Sequence, residues 1–484
     1  MGIIKNYLYN MIYQVVILIL PLITVPYVSR VLGSKGVGIN AFTFSVISYF
    51  ILFGTLGIGL YGNRSVAYVR DDRQELSKTF WGIIVLQIIT TSISFCLFLV
   101  FLLLNKRFEV IFLIQSIFII AAAIDVSWLF MGLEDFKKTV TRNLFVRLAG
   151  VVAIFVFVKD QSDLWKYILI LALSQLLGQI TMWFYLPKTV DWVKIHKKDI
   201  VNHLVPTINL FLPQIAIQVY TVLNKTMLGV LSTQNEVGYF ENADKMIKII
   251  LAVVTALGIV MLPRISNVYA QGDMDKVKIY LYKSFNFVSY LSFPAAFGIA
   301  GVANHFAPWF FGSQFEKTGL LITIMSPIIV LIAWSGVTGT QFLMPIKRVH
   351  TVTISVCVGA VVNFILNLVL IGKWHSTGTA ISTLAAESSV TLYQLICIRK
   401  LIDLRRMIKP IWKYFIASGI MCIVVLLVDN IFSKGYQTTL FQIIVGAITY
   451  LTILFVFHDD MNSVIFKTIY IKITEKIKFL KHHD

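Results

Sequence analysis

The chain has 484 residues, of which 57% are hydrophobic and only 14% are charged. This composition excludes a soluble protein of two or three domains and indicates an integral membrane protein. The net charge of +18 does not point to a nucleic-acid partner, because the basic residues are distributed among short loops between long apolar runs.

The apolar runs predict an all-α integral membrane protein with about fourteen transmembrane helices. A helix needs about 20 mainly apolar residues to cross the hydrocarbon, whereas a β-barrel would show strands of about 10 residues with alternating polarity. The first run lacks the short core and small-residue cleavage pattern of a signal peptide, so we expect it to remain as the first span. The predicted spans cover residues 8–28, 39–61, 80–104, 110–131, 142–158, 165–186, 204–231, 239–262, 284–311, 318–343, 350–370, 377–397, 412–432 and 439–458.

The four cysteines lie inside apolar runs, at Cys96, Cys357, Cys397 and Cys422. Their spacing shows no pair that is typical of a metal site or a redox motif. We therefore expect no metal, and we interpret the cysteines as small residues of the hydrophobic core.

Lysine and arginine are unevenly distributed between the two sets of loops. The N-terminus, the C-terminal tail and every second loop together carry 29 of them, and the opposite loops carry eight. Because short loops rich in lysine and arginine stay in the cytoplasm, both termini are predicted to be cytoplasmic in a multi-pass protein of the cell membrane.

The chain repeats one pattern after about 200 residues. VLGSKGVG at residues 31–38 parallels VLSTQNEVG at residues 230–238, and Arg64 has its counterpart in Arg264. This period predicts two pseudo-symmetric lobes around a central cavity, because transporters built from two repeats bind substrate at the repeat interface. We predict an N-terminal lobe with spans 1–6 and a linker, a C-terminal lobe with spans 7–12, and a third part with spans 13–14 and a basic cytoplasmic tail, at residues 1–202, 203–400 and 401–484.

The linker at residues 187–203 is basic and is predicted to lie in the cytoplasm. An alternative compatible with that role is a surface helix that lies on the anionic membrane leaflet.

Lys225 lies inside the seventh predicted span, where a lysine costs about 2.5 to 3.5 kcal/mol and therefore faces protein or water rather than lipid. Its neighbours Thr221, Asn224 and Thr226 are neutral. The counter-charge must come from another helix or from a ligand.

The eighth span carries two pairs of opposite charge at a spacing of four residues. Glu241 precedes Lys245, and Asp244 precedes Lys248, which is the favourable order for ion pairs within a helix. These residues either neutralise one another or, through the two lysines, contact a substrate.

Arg147 lies in the fifth span without an acidic neighbour, and its guanidinium is suited to a phosphate or an acidic sugar. Two acidic residues inside spans, Asp125 and Glu387, are candidates for coupling to protons or sodium. Asp125 is alternatively the structural partner of a buried arginine, which is the interpretation we favour. The predicted substrate-binding residues are Lys225, Arg147, Lys245, Lys248, Arg30, Arg64 and Arg264.

No constellation of catalytic residues is present in the sequence. There is no glycine-rich phosphate loop with a lysine and a serine or threonine, so direct drive by ATP is not expected. We predict transport without covalent chemistry, no catalytic residue and no cofactor.

Several passages resemble the Wzx-type polysaccharide flippases, a branch of the multidrug, oligosaccharidyl-lipid and polysaccharide exporter superfamily. They follow one another from about residue 31 to residue 370 and read LGSKGVGINAFTFSVISYFILFGTLGIGLYGNRSVA, DVSWLFMGLEDFKKTVTRN, NKTMLG with VGYFENADKM, MLPRIS, GTQFLMPIKR and GAVVNFILNLVLI. The chain departs from the family's pattern at Asn224, where relatives often carry an acidic residue beside the lysine.

The resemblance implies a fourteen-helix flippase with a central cationic cavity. Such a protein turns an undecaprenyl-pyrophosphate-linked oligosaccharide from the inner to the outer leaflet by alternating access, for capsule or exopolysaccharide synthesis. Its partners would be this substrate, the bilayer and the polysaccharide polymerase machinery. The alternatives are an ion-coupled small-molecule exporter of the same superfamily and a structural membrane scaffold, and the latter leaves Lys225 and Arg147 unexplained.

The loop charges predict a cytoplasmic C-terminus. A phosphatase that is active only outside the cell should therefore remain inactive when it is fused after Asp484, whereas a cytoplasmic fluorescent reporter at the same point should be bright. Phosphatase activity at this point would contradict the predicted orientation.

Overall fold

The computed structural model describes the backbone of residues 2–431 and 435–463. Side chains are described in the same ranges except at residues 2–19, 136–143, 212–214, 216–217, 219–220, 257, 259–260 and 429–431. The predicted basic tail at residues 464–484 lies outside the described residues.

Within these ranges the chain is built from helices and contains no strand. This confirms the predicted all-α membrane fold. The helices are α1 (Gly2–Thr55), α2 (Ile58–Val69), α3 (Arg73–Leu104), α4 (Glu109–Ala123), α5 (Ser127–Gly132), α6 (Phe136–Phe157), α7 (Leu164–Trp183), α8 (Lys197–Leu231), α9 (Gln234–Ala270), α10 (Met274–Phe311), α11 (Glu316–Met325), α12 (Ile328–Ser335), α13 (Val349–Ile398), α14 (Leu404–Ile408), α15 (Ile411–Ile431) and α16 (Tyr436–Val456).

The contacts divide the chain into two compact units, residues 1–241 and 242–484. In the first unit α1 packs on α3, α4 and α8, while α7 packs on α4 and α6. In the second unit α10 packs on α11, α12, α15 and α16. The lobe boundaries at residues 202 and 400 stay a prediction.

One core cluster of the first unit contains large aromatic residues between α2, α3 and α5. Phe80, Trp128 and Phe130 are almost completely buried. The Trp128 indole N–H donates to the side-chain oxygen of Gln87 at 3.1 Å, so the polar end of this buried ring is satisfied.

Polar side chains hold the helices of the second unit together. The Tyr450 hydroxyl donates to the Tyr290 carbonyl at 2.8 Å. The amide of Gln394 accepts from Thr338 at 2.7 Å and donates to Ser355 at 2.9 Å. In a lipid surrounding such bonds contribute to helix association, since burial of apolar surface drives it only weakly.

Two long helices are broken where the sequence predicts a loop between spans. α1 contains Gly33 with φ 68° and ψ 175°, a conformation that favours glycine. α13 contains His375 with φ 50° and ψ −127°. An unbroken helix of 50 residues would be about 75 Å long, far more than the hydrocarbon thickness of about 30 Å, so each of these helices holds two predicted spans.

In the described part of the chain, eight helices are long and apolar enough to span a membrane, or ten when two bent pairs are each taken as one span. The chain is therefore a multi-pass membrane protein. The number of fourteen crossings stays a prediction.

The structure does not support the alternative of a separate surface helix, because the linker is non-helical before Lys197 apart from one short turn, and its remaining residues begin α8. A 3₁₀ turn at Leu186–Lys188 is followed by non-helical backbone up to His196. The Arg73 guanidinium on α3 donates to both carboxylate oxygens of Asp191, at 2.7 and 2.8 Å. This bidentate contact holds the pKa of Asp191 below its usual value. The contact holds the linker against α3. The order of charges along the sequence does not predict it.

The cysteines only partly follow the prediction of a buried core position. Cys96 and Cys357 are exposed on the protein surface, and Cys397 and Cys422 are half-buried. The prediction failed for the first two because the outer surface of a membrane protein is as apolar as its core, so hydropathy does not separate the two environments.

The two copies of the repeated pattern contact each other reciprocally within the first unit. A Cβ added at Gly38 would lie 1.7 Å from the Gln234 carbonyl oxygen, and one added at Gly238 would lie 2.1 Å from the Ser34 carbonyl oxygen. The Ser34 hydroxyl also donates to Asn235 at 3.2 Å. An offset of 200 residues converts each glycine contact into the other, which is the geometry of a local pseudo-two-fold axis.

Neither Gly38 nor Gly238 should tolerate even the single methyl group of alanine. Gly38→Ala and Gly238→Ala should each destabilise the protein by about 1 to 3 kcal/mol, because overpacking forces the backbones apart. The measurement is the melting temperature of the detergent-purified protein, followed by size-exclusion chromatography after heating. Gly59→Ala is the matched control, since no atom lies within 4 Å of its added Cβ. Equal melting temperatures for all three variants would show that the glycine contact does not limit stability.

Candidate functional site: cations and polar pockets in the helical bundle

Lys225 on α8 forms an ion pair with Glu241 near the start of α9. The lysine Nζ lies 2.5 Å from a carboxylate oxygen, and the two side chains are 18% and 11% exposed. Another helix thus supplies a counter-charge for Lys225, as one of the two alternatives predicted, and binding of a ligand by Lys225 stays a prediction.

The segment around Lys225 packs closely on α1. The Thr226 and Ser45 hydroxyls share a hydrogen bond of 2.8 Å. One turn further along α8, a Cβ added at Gly229 would lie 2.0 Å from the Phe42 ring. Together with the contact between Gly38 and Gly238, these interactions fix α8 and the start of α9 against α1, and so fix the position of the ion pair.

The second unit contains the other candidate residues of the eighth predicted span. Lys248 is exposed and pairs with Asp244 at 2.8 Å, as the spacing of four residues predicted. Lys245 is half-buried on the same helix. Glu387, the candidate for ion coupling, is buried on α13.

Asp125 and Arg147 line one pocket of about 220 Å³ in the first unit. The pocket lies where α4 ends and α5 begins, and α6 and α7 form its other sides. Four neutral polar side chains complete the polar lining: Ser127, Ser174, Gln175 and Gln179. The tertiary structure thus brings together an arginine and an aspartate that are 22 positions apart in the chain, and no ion pair joins them among the described side chains.

Two of the remaining candidate arginines each contact a tyrosine of their own unit. Arg64 on α2 donates to the Tyr68 hydroxyl at 3.1 Å, and Arg264 on α9 donates to the Tyr280 hydroxyl at 3.2 Å. Each guanidinium also lies over the ring of its tyrosine. Arg30 is exposed on α1.

A large apolar cavity of about 1350 Å³ lies in the second unit. Aromatic side chains of α10, α12 and α15 form much of its wall, among them Phe293, Trp334 and Phe415. Arg405 and Lys409 also line it, at α14 and just after it, and both are exposed. Its lining therefore combines apolar walls with two cations.

Among the described residues, no group of three or more histidine, cysteine, aspartate or glutamate side chains is arranged to hold a metal ion.

The fold is that of a multi-pass α-helical membrane protein that carries charged residues inside its helices. The family model for polysaccharide biosynthesis proteins matches residues 3–269. This is more than half of the chain, and the chain belongs to this family.

The chain is similar to an Escherichia coli K12 protein that is provisionally named an O-antigen transporter. The two are 24% identical over 401 residues, which cover 82% of this chain and 96% of that protein.

Two solved structures share the fold. One is the lipid II flippase MurJ in an inward closed conformation, with a TM-score of 0.72, 17% identity, and 95% and 99% of the two chains covered. The other is an inward-facing multidrug transporter of the MATE family, with a TM-score of 0.62, 14% identity, and 82% and 95% covered.

Sequence reasoning missed the role of Glu241 and the polar lining of the small pocket. The sequence carries a signal for the latter, because Gln175 and Gln179 are spaced by four residues on an otherwise apolar helix and therefore share one face. The partnership of Lys225 with Glu241 has no comparable signal, since it depends on how α8 and α9 pack.

The ion pair predicts a characteristic result in a double-mutant cycle. Glu241→Gln should destabilise the protein by about 3 kcal/mol, because it leaves a largely buried ammonium without its carboxylate. The double variant Lys225→Met with Glu241→Gln should recover most of this loss. The measurement is the free energy of unfolding in mixed micelles. Additive effects of the two changes would show that the ion pair contributes no coupling energy.

Proposed function

We propose that this protein transfers undecaprenyl-pyrophosphate-linked oligosaccharide repeat units from the inner to the outer leaflet of the cytoplasmic membrane, for the synthesis of capsule or exopolysaccharide. The observation that carries the proposal is the family match over residues 3–269. The relative named for O-antigen transport, aligned over 82% of this chain, supports the same substrate class.

The physical problem of such a transfer is that one molecule combines a polar and an apolar part. The glycan and the pyrophosphate are too polar to cross hydrocarbon, while the polyprenyl chain is most stable within it. The chain contains features for both parts: cations inside membrane-spanning helices, and an apolar cavity of about 1350 Å³ with Arg405 and Lys409 in its lining.

Lys225 would take part by exchanging one anionic partner for another. In the structure the Lys225 ammonium is paired with Glu241. A pyrophosphate that reached Lys225 would replace this carboxylate, and it offers more negative charge and more acceptor oxygens. The exchange keeps the lysine paired at every stage, so the cost of an isolated ammonium in an apolar surrounding is avoided.

The rest of the proposal concerns the transport cycle. Both termini lie in the cytoplasm, and the two lobes, residues 1–202 and 203–400, alternate between inward-open and outward-open states. Arg147, Lys245, Lys248, Arg30, Arg64 and Arg264 add positive potential along the path, and Asp125 or Glu387 couples the cycle to an ion. The exported repeat units then pass to the polysaccharide polymerase machinery.

Replacing Lys225 by alanine should lower the export of the lipid-linked glycan by about tenfold or more, the scale of a lost hydrogen bond to a charged group. Lys225→Arg should retain part of the export because it keeps the charge. The measurement is the amount of lipid-linked repeat unit that accumulates on the inner leaflet of cells whose only copy is the variant.

Lys166→Ala is the matched control for this experiment. Lys166 is also a lysine paired with an aspartate, Asp163, at 2.5 Å, but it lies outside the proposed path and its replacement should leave export unchanged. Normal export by a stably inserted Lys225→Ala protein would contradict the proposed role of Lys225. A null strain that accumulates no lipid-linked glycan but gains sensitivity to small toxic cations would favour the multidrug-type exporter instead.

A further inference from the structure

The small pocket at Asp125 and Arg147 has an unusual composition for a site inside a helical membrane bundle. Its polar lining combines one cation, one anion, two amides and two hydroxyls within about 220 Å³. We propose that this pocket binds a single sugar ring of the lipid-linked glycan, through its hydroxyl groups, and that it does not bind the pyrophosphate. This inference rests on the proposed function and assigns a substrate part to a site within it.

The aspartate decides between a phosphate and a sugar as the occupant. A carboxylate that lines a pocket of this size repels a phosphate, since like charges close together in a low-dielectric surrounding are strongly unfavourable. A sugar hydroxyl avoids this conflict, because it can donate to a carboxylate and accept from a guanidinium or an amide at the same time. The pocket supplies both kinds of partner in Asp125, Arg147 and Gln175.

The described contacts leave bonding capacity in both charged groups. One carboxylate oxygen of Asp125 accepts from the backbone N–H of Ser127 at 2.8 Å. In the described part of the chain, the other oxygen has no hydrogen-bond partner, and Arg147 forms no ion pair. Asp125 is half-buried, whereas Arg147 is exposed. An acceptor without a partner on a half-buried carboxylate is costly, so a hydroxyl-rich ligand that donates to Asp125 would be stabilised at this point.

A cation is a poorer occupant than a sugar. The pocket offers a single carboxylate, and the guanidinium of Arg147 lines the same space. The apolar side chains Met131 and Val146 also line it, and they suit the C–H face of a sugar ring. The volume lies below the 300 to 1,000 Å³ or so of pockets for drug-sized ligands, which limits the occupant to about one ring.

The test compares binding of two lipids to the purified full-length protein. The first probe is the lipid-linked glycan extracted from cells that lack this chain, and the second is undecaprenyl pyrophosphate without sugar. Asp125→Asn and Gln175→Ala should each weaken binding of the glycan-bearing lipid about tenfold, the effect of one hydrogen bond to a charged or buried partner. Neither change should alter binding of the sugar-free lipid.

The variants are chosen to keep the fold intact. Asp125→Asn still offers an acceptor to the Ser127 N–H. Arg147→Lys, which keeps the charge but loses the forked donor, replaces any variant that melts early. Gln437→Ala is the matched control, because Gln437 is an exposed glutamine at the start of α16 and should leave both affinities unchanged.

Three results would overturn the inference while leaving the proposed function standing. They are equal weakening of both lipids by the pocket variants, which indicates a phosphate site; unchanged affinity of correctly folded variants for the glycan-bearing lipid; and equal affinity of the wild-type protein for both lipids. Failure of the wild-type protein to bind either lipid would instead argue against the proposed function itself.

Discussion

A charge inside an apolar helix must be compensated by the protein, since lipid offers neither water nor counter-ions. Lys225 lies within α8, so this constraint applies to it directly. A carboxylate oxygen of Glu241, on the next helix, lies 2.5 Å from the Lys225 Nζ. The residue beside this lysine, Asn224, is neutral, and the carboxylate is supplied across a helix–helix contact. Any movement that separates α8 from the start of α9 would leave the Lys225 ammonium without its carboxylate. The packing of these two helices therefore determines whether Lys225 is paired with Glu241.

The close approach of the two repeats depends on glycine at equivalent positions. Gly38 lies against the Gln234 backbone and Gly238 lies against the Ser34 backbone, and neither position has room for a Cβ. Because the contact is reciprocal, a change in one repeat acts on the same interface as the equivalent change in the other. The glycine contact joins α1 to the start of α9, and the ion pair joins α8 to the same part of α9. The two copies of the sequence repeat therefore contact each other close to the ion pair of Lys225 and Glu241.

The polar and apolar cavities suit different parts of an amphipathic substrate. The small pocket at Asp125 and Arg147 is polar on most sides and has the volume of about one sugar ring, whereas the large cavity is walled by aromatic and aliphatic side chains with two cations in its lining. The arginine in the small pocket and the basic residues in the large cavity would repel a small apolar cation, so they do not suit a transporter of such cations. The substrate proposed above, a glycan joined to a long lipid by a pyrophosphate, requires polar, cationic and apolar surroundings.

The sequence by itself determined the membrane class, the helical fold and the breaks near Gly33 and His375, and it offered the pairing of Asp244 with Lys248 as one of two alternatives. These features follow from hydropathy and from spacing along one helix, which are local properties of the chain. It also indicated the repeat that places Gly38 and Gly238 at equivalent positions. Tertiary structure alone decided that Glu241 pairs with Lys225, that Asp125 and Arg147 share a pocket, and that Cys96 and Cys357 face outward. These outcomes depend on which helix faces pack together, and in a membrane protein the lipid-facing and buried faces are both apolar, so the one-dimensional pattern does not distinguish them.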